Sequence, residues 1–424
     1  MLVAKKIFMI IGIQAMLVSP YNAASSEDSH VHGGHKECAL PKNTMDIVDC
    51  ALEFHPSVKR AMLGLESATR FNEKAAQIPN PTLSSRYVKG ERNGDDISEL
   101  EANLSFTLEL GGKRTSRKNF AQASKSSVMA VGEITKAEIK INTIINLYRL
   151  RQIVSEKEIV KEALKGFFKV INQLKKLPRL SAEQEASFIL FEIAYEETRI
   201  NESEVFEEER ELEHYFHIST GHSLKELQSY LPKMYKEWPR IHINNKSGSS
   251  PEMKKLKSLT LLAQSELEIQ NSNAWPNLKV GPSLSIERDG DVENKMIGLN
   301  IQIPLPLFQM NGGAKAFAKS ELTRAQKNVI FSQTEENHER IEQLRIYKSA
   351  VRILNKTMKQ NTIVKKHKKI EKLYLRGVVS GSVLLDSLKQ KLSYLKSRNL
   401  RELTALKALW NIYKYDGMVF KEKI

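Results

Sequence analysis

The chain has 424 residues and 41% hydrophobic content, enough for packed cores and two or three domains, which excludes a disordered tail or a short peptide. Its 65 Lys and Arg against 50 Asp and Glu leave a formal charge of +15. These charges are interspersed along helical stretches, as on solvated helix faces, so the basic balance does not imply a nucleic-acid partner.

Lys5 and Lys6 precede an apolar run from Ile7 to Val18, and small residues follow at Ala23 and Ala24. That order predicts a signal peptide over residues 1–23 and export from the cytoplasm. No later run approaches the length of an apolar membrane helix, so any further entry into a bilayer must use strands. Residues 24–43 read as a flexible segment containing His30, His32, His35 and Cys38. Imidazole and thiol suit zinc or copper, but ligands this closely spaced lack a folded frame to fix their geometry. They read as adventitious metal contacts, and no metal site or cofactor is assigned. Cys38 and Cys50 are the only cysteines, so one intramolecular disulfide is possible in an oxidising compartment. Neither occupies the position of a lipidated cysteine.

Helical periodicity runs from Thr44 to Gln77 and stops at Ile78-Pro79-Asn80-Pro81, where two prolines remove backbone donors. The period then changes to two. Leu100, Ala102, Leu104, Phe106 and Leu108 form one face of a strand, and Glu101, Asn103, Ser105 and Thr107 form the other. A hairpin is expected over 82–109, with a turn at Asn93-Gly94. After Gly111-Gly112 the helical period returns over 113–177, with Ile134, Ala137, Ile141, Ile144 and Tyr148 in a coiled-coil seam. Such a helix would extend roughly 100 Å. A break at Pro178 to Ser181 precedes another helix over 181–217.

The order then recurs. After a linker over 233–251, a helix ends at Ala274-Trp275-Pro276 and a second hairpin is expected over 278–304. Leu278, Val280, Leu284 and Ile286 share one face of its first strand. In the second strand Ile297, Leu299, Ile301 and Ile303 alternate with Gly298, Asn300 and Gln302. A long helix is predicted over 314–375, a final helix over 383–413 and a tail over 414–424. Pro81 and Pro276, Gly112 and Gly313, and Ser181 and Ser380 correspond at a spacing of about 200 residues, which indicates an internal duplication of 44–232 in 252–413.

Four strands cannot close a barrel. Membrane insertion would therefore require chains to pool strands, and three copies would give an even-numbered barrel of twelve. A soluble coiled-coil scaffold, its sheet covering a core with the apolar face, remains the alternative from periodicity.

The run from Ala75 to Leu83, then Leu108-Glu109-Leu110-Gly111-Gly112-Lys113-Arg114 with Arg117 and Ala121, resembles the first half of the TolC-like outer-membrane efflux family. Trp275-Pro276-Asn277-Leu278, Ile303-Pro304-Leu305-Pro306-Leu307-Phe308 and Asn311-Gly312-Gly313 are similar to its heavy-metal branch, the Czc/Cus-type components. The resemblance spans residues 44–413. It implies a mainly α fold with a small β part: an outer-membrane homotrimer with a twelve-stranded β-barrel, continued by an α-helical barrel across the periplasm. It also implies a periplasmic adaptor and an inner-membrane RND-type transporter as partners, with passive exit of heavy-metal ions or small toxic compounds. A type I secretion duct shares the same fold.

On this reading Glu101, Asn103, Ser105, Thr107, Asn300 and Gln302 face the lumen. Leu100, Leu104, Phe106, Leu284, Ile286, Leu299 and Ile301 face lipid. The family's adaptor-contacting tip carries over to Leu180, Ser181, Gly377, Val379 and Ser380. The missing N-terminal lipidated cysteine departs from the copper branch. Glu207 to Glu213 read as a solvated face, and the sequence holds no phosphate-binding loop, no His-Glu-x-x-His and no nucleophile elbow, so no enzyme is expected.

Overall fold

The computed structural model describes residues 38–92, 95–241 and 250–424. The predicted signal peptide, His30, His32, His35 and the Asn93-Gly94 turn lie outside the described residues.

Asn43 starts α1 (Thr44–Phe54), its side-chain oxygen accepting from the Met45 and Asp46 amides at 2.8 and 3.1 Å. Pro56 opens α2 (Pro56–Ala75), where its missing donor costs nothing. Strands β1 (Thr82–Arg92) and β2 (Asp95–Glu109) follow, then α3 (Lys113–Lys175) and α4 (Ala182–Thr220). A short α5 (Leu224–Leu227) and a 3-10 turn close the first half. The second half repeats the plan with α6 (Pro251–Ser272), β3 (Asn277–Asp289), β4 (Val292–Gln302), α7 (Gly312–Lys356), α8 (Gln360–Leu375) and α9 (Gly381–Tyr415).

The four strands form one antiparallel sheet in the order β1-β2-β3-β4, so the hairpin of each half is joined to the other through β2 and β3. Next to the sheet, α2, α3, α6 and α7 lie side by side in that order. At 63 residues, α3 reaches roughly 95 Å and runs through both the upper layer and the far end of the molecule. Its predicted seam is used: Ala137, Ile141, Ile144 and Tyr148 enter the main core with Ile47, Phe216, Leu227, Leu406 and Trp410. Further along, Phe167 and Ile171 pack with Phe191, Ala194, Leu384 and Leu388.

Four expectations need correction. The helix predicted over 314–375 is broken, because Thr357 and Lys359 take extended ψ values of 153° and 148°. The seam of Leu344, Tyr347 and Leu354 packs on α9. Met358 falls at the break, and the apolar stripe of the next helix runs from Ile363, nine residues after Leu354 and roughly half a turn out of phase. The break resets that phase, so that Ile370 and Tyr374 again meet the core shared with α9.

The predicted linker is in part a packed strap. Tyr235 stacks on Tyr148 with ring centroids 6.1 Å apart, Trp238 reaches Tyr347 at 6.1 Å, and Tyr347 Oη donates to the Pro239 carbonyl at 2.6 Å. These contacts join α3 of the first half to α7 of the second.

Segment 24–43 is not free at its described end, since Cys38 is bonded to Cys50 of α1 and Pro41 is buried. The tail is packed as well. Val419 is buried in the main core, and Asp416 pairs with Arg340 at 2.5 Å.

The sheet-to-helix junction depends on a close approach. Gly111 adopts φ +72°, and a Cβ there would lie 2.4 Å from Trp275 Cδ1 and 2.6 Å from Trp275 Cβ. Rotating the indole cannot relieve contact with Cβ. Gly111→Ala therefore combines left-handed strain with a clash, and it should destabilise the purified protein by at least about 2 kcal/mol. Thermal unfolding of the variant measures this, and an unchanged midpoint would contradict the packing described.

Candidate functional site: the exposed sheet and the helical tip

The register sorts the strand residues into two faces. Phe106, Val280 and Ile301 lie in one cross-strand row, and Ala102, Leu284 and Ile297 in another. Leu100 pairs with Ile286 and with Tyr87, Leu104 pairs with Leu83, and Leu299 pairs with Pro282. Side chains directly opposite one another share a face, so the apolar residues of these rows lie together on one side of the sheet. On the other side Thr107 and Gln302 both pair with Lys279, Asn300 pairs with Gly281, and Glu101 lies between Arg86 and Ser285. Asn103 Nδ2 donates to Glu101 at 3.0 Å, and Ser105 Oγ donates to the Thr82 carbonyl at 3.3 Å.

The exposure pattern is the reverse of a water-soluble sheet. Ile297, Leu299 and Ile301 are 87%, 66% and 61% exposed, and Leu83 and Tyr87 are similarly open. Ser105 and Thr107, on the polar side, are less exposed than Leu104, Phe106 and Leu108 beside them. An antiparallel sheet in water normally turns its apolar side to a core. Among the described residues nothing covers that side, and the exposed apolar surface continues into Leu305, Leu307 and Phe308 after β4.

Inside the sheet, Pro282 has no donor for the β2–β3 ladder, and Gly281 lets the strands close at that point. A Cβ on Gly281 would lie 1.8 Å from the Leu104 carbonyl oxygen. The charged pairs cluster toward the hairpin turns: Lys89 with Asp96 at 3.0 Å, Arg288 with Glu293 at 2.6 Å, and Lys295 with Glu293 at 3.0 Å.

The motif residues around the junction hold sheet and helices together. Arg117 pairs with Glu109 and donates to the Gln77 carbonyl at 3.1 Å, and Arg114 donates to the Ala76 carbonyl at 2.8 Å. Lys113 Nζ reaches Asn277 Oδ1 at 2.6 Å, which links the two halves. In the second half Asn311, at φ 58°, donates to the Gln270 carbonyl at 2.8 Å. The residues that carry the family resemblance in the sequence thus tie the strand ends to the helix ends in the structure.

At the far end, the predicted tip residues form two turns. Leu180 precedes Ser181, which caps α4 in a reciprocal pair with Gln184 at 3.3 and 2.9 Å. Gly377 takes φ +73° and ends α8, with the Val378 amide donating to the Leu373 carbonyl at 3.0 Å. Val379 and Ser380 then lead into α9. Gly381 brings the two turns together, since a Cβ there would lie 3.1 Å from Phe191 Cε2 of α4. No sequence signal singled out that contact.

Behind the turns Lys391 is buried and its ammonium meets Glu162 at 2.6 Å, while His367 Nδ1 pairs with Ser387 Oγ at 2.9 Å. Burial and the neighbouring Lys391 hold the His367 imidazole below its ordinary range. Two carboxylates read as solvated are instead engaged: Glu208 pairs with Arg149 at 2.5 Å and Glu209 with Lys157 at 2.6 Å. Cys38 drops out as a metal ligand, because the disulfide consumes its thiol. Among the described residues no cluster of three or more His, Cys, Asp or Glu could hold a metal, and no helix is long and apolar enough to cross a membrane.

No family model matches the chain. The cobalt-zinc-cadmium resistance protein CzcC of Cupriavidus metallidurans is 24% identical over 340 residues, covering 77% of this chain and 78% of that protein. The outer-membrane channel MtrE of Neisseria gonorrhoeae, in its open state, superposes with a TM-score of 0.69 at 13% identity, over 88% of this chain and 89% of MtrE. CusC superposes with a TM-score of 0.65 at 13% identity, over 92% of this chain and 95% of CusC. The outer-membrane channel CmeC of Campylobacter jejuni gives 0.66 at 14% identity, over 89% of this chain and 86% of CmeC. The chain thus has the fold of the TolC-like outer-membrane channels and is a sequence relative of a cobalt-zinc-cadmium resistance protein.

Proposed function

We propose that this chain is the outer-membrane channel of a tripartite efflux system and gives passive exit to heavy-metal ions or small toxic compounds. The observation that carries the reading is the uncovered apolar face of the sheet, joined to a channel fold. In a bilayer that face is solvated by hydrocarbon and the sheet needs no covering helix. A soluble scaffold would leave the same surface in water.

One chain is an open strip. Its sheet ends at β1 and β4, and its upper helical layer ends at α2 and α7. The helices at the two edges of the upper layer carry exposed apolar side chains, Met62 and Leu63 on α2 and Ile330 and Phe331 on α7. Each unpaired backbone group costs several kcal/mol in hydrocarbon, so the strip must close on other copies. Three copies supply twelve strands, and the polar side carrying Glu101, Asn103, Ser105, Thr107, Asn300 and Gln302 then lines the lumen. Leu100, Leu104, Phe106, Leu284, Ile286, Leu299 and Ile301 meet lipid.

The chain catalyses nothing on this reading and holds no cofactor. Energy comes from an inner-membrane pump of the RND type, and a periplasmic adaptor meets the turns at Leu180, Ser181, Gly377, Val379 and Ser380. The relationship to CzcC favours metal cargo over secreted polypeptides.

Deleting the gene should raise sensitivity to at least one of zinc, cobalt, cadmium, copper or silver ions in growth assays. Unchanged tolerance to all five would remove metal cargo from the proposal. Arg at a lipid-facing mid-sheet position costs about 2–4 kcal/mol. Leu104→Arg should therefore deplete the assembled protein in outer-membrane fractions, whereas Thr107→Arg should leave it near wild type. Equal depletion would contradict the assignment of faces.

A further inference from the structure

Helix α8 is attached to the rest of the chain through a titratable residue. Of its sixteen residues His367 alone is buried, at 5% exposure. The apolar residues on the same face, Ile363, Ile370 and Tyr374, are only half-buried. Neighbouring α9, by contrast, buries Leu384, Leu385, Leu388 and Leu395. The contact of α8 with α9 therefore centres on an imidazole and not on an aliphatic side chain.

The groups around that imidazole come from three helices. Ser387 Oγ of α9 lies 2.9 Å from Nδ1. Lys391, one turn further along α9, is 3% exposed, and its ammonium meets Glu162 of α3 at 2.6 Å. A cleft of about 470 Å³ runs between α8 and α9 beside the ring, with Lys366 and Asp386 in its walls, so protons reach the imidazole from solvent. Glu371 lies one turn on along α8. Burial and Lys391 oppose a charge on the ring, whereas Glu162 and Glu371 favour one. The first two outweigh the others and hold the ring below its ordinary range.

The start of α8 is pinned more firmly than its remainder. Tyr394 Oη donates to the Met358 carbonyl at 2.8 Å, and Gln360 Nε2 donates to Ser155 Oγ of α3 at 2.9 Å. Both bonds hold the break between α7 and α8, where Thr357 and Lys359 are extended. At the other end Gly377, at φ +73° with open space around it, joins α8 to the turn. A fixed pivot and a loose turn thus bracket a helix held at His367.

We propose that α8 is a proton-released arm, which lies on α9 while His367 is neutral and swings away on the 357–359 break when His367 is protonated. The released ring regains water and distance from Lys391, so the released state binds the proton more tightly. Attachment is therefore complete above the ordinary imidazole value of about 6.5 and is lost as pH falls below it. The turn from Gly377 to Ser380 moves with the arm, so the acidity of the surrounding solution sets the shape of this end. The inference goes beyond the duct reading and needs no neighbouring copy.

Amide hydrogen exchange of the full-length protein in detergent, corrected for the intrinsic effect of pH, tests the arm. A released helix of sixteen residues is marginal in water and frays, so its amides lose protection. Protection along 363–375 should fall by up to about tenfold between about pH 7.5 and about pH 5.5, while the α3 and α9 amides stay protected. His367→Gln, which stays neutral and can still bond Ser387, should keep α8 protected at both pH values. His367→Leu supplies a second neutral side chain in case the first disturbs the packing. Unchanged protection of wild-type α8 across this range, or loss as pH rises, would overturn the proposal. An equal acid-induced loss in both neutral variants would also overturn it, since the titrating group would then be Glu162, Asp386 or Glu371. Loss of α9 protection together with α8 would show general acid unfolding and contradict a local arm.

Discussion

Hydrocarbon offers no partner to a peptide N–H or C=O, and this limitation organises the molecule. A sheet with free edges at β1 and β4 and an apolar outer face is unstable as a unit in water, and unclosed in lipid. The chain resolves neither problem internally. Its helices repeat the same open-edged order, α2 and α7 continuing the edges of β1 and β4, so that on the proposed reading one assembly step satisfies both layers.

The two layers must keep a common curvature for that to work, and the junction residues supply it. Gly111 lies against Trp275, Lys113 reaches Asn277, and Arg117 ties the end of β2 to the end of α2. Two of the three cross between the duplicated halves, and the third reaches back from α3 to the chain at both ends of the first hairpin. The aromatic strap of Tyr235 and Trp238 performs the same service lower down, where it bridges α3 and α7. On the proposed reading conduction needs no reacting group, and the buried polar residues hold helices: Arg149 between Glu156 and Glu208, Arg151 on Glu402, Lys391 on Glu162.

Much of this was legible in the residues because the two periods differ so sharply. Alternation from Leu100 to Leu108 can only be a two-faced strand, and the seam through Ile141, Ile144 and Tyr148 can only be a helix. Prolines and glycines paired at an offset of about 200 residues mark the duplication. Less was visible where tertiary contact overrides local pattern. Thr357 and Lys359 carry no breaker signature, and the interruption there follows from a phase conflict between two apolar stripes. Residues 233–241 mix four charged side chains with Met234, Tyr235, Trp238 and Ile241 and show no helical or strand period, yet Tyr235 and Trp238 find a core built by other elements. The Cys38–Cys50 bond could be allowed from the sequence but not assigned. The tip turns were readable from Gly377 and Ser181, whereas the Gly381 contact with Phe191 depends on how the two hairpins are stacked.

The central claim is that several chains share one sheet in lipid. The most direct measurement is the mass of the protein extracted from outer membranes, determined in detergent with the bound detergent accounted for. A particle of three chains, released only by detergent, is the predicted result. A single chain that remains dispersed in plain buffer would contradict the account, because its apolar strand face would then be stable in water.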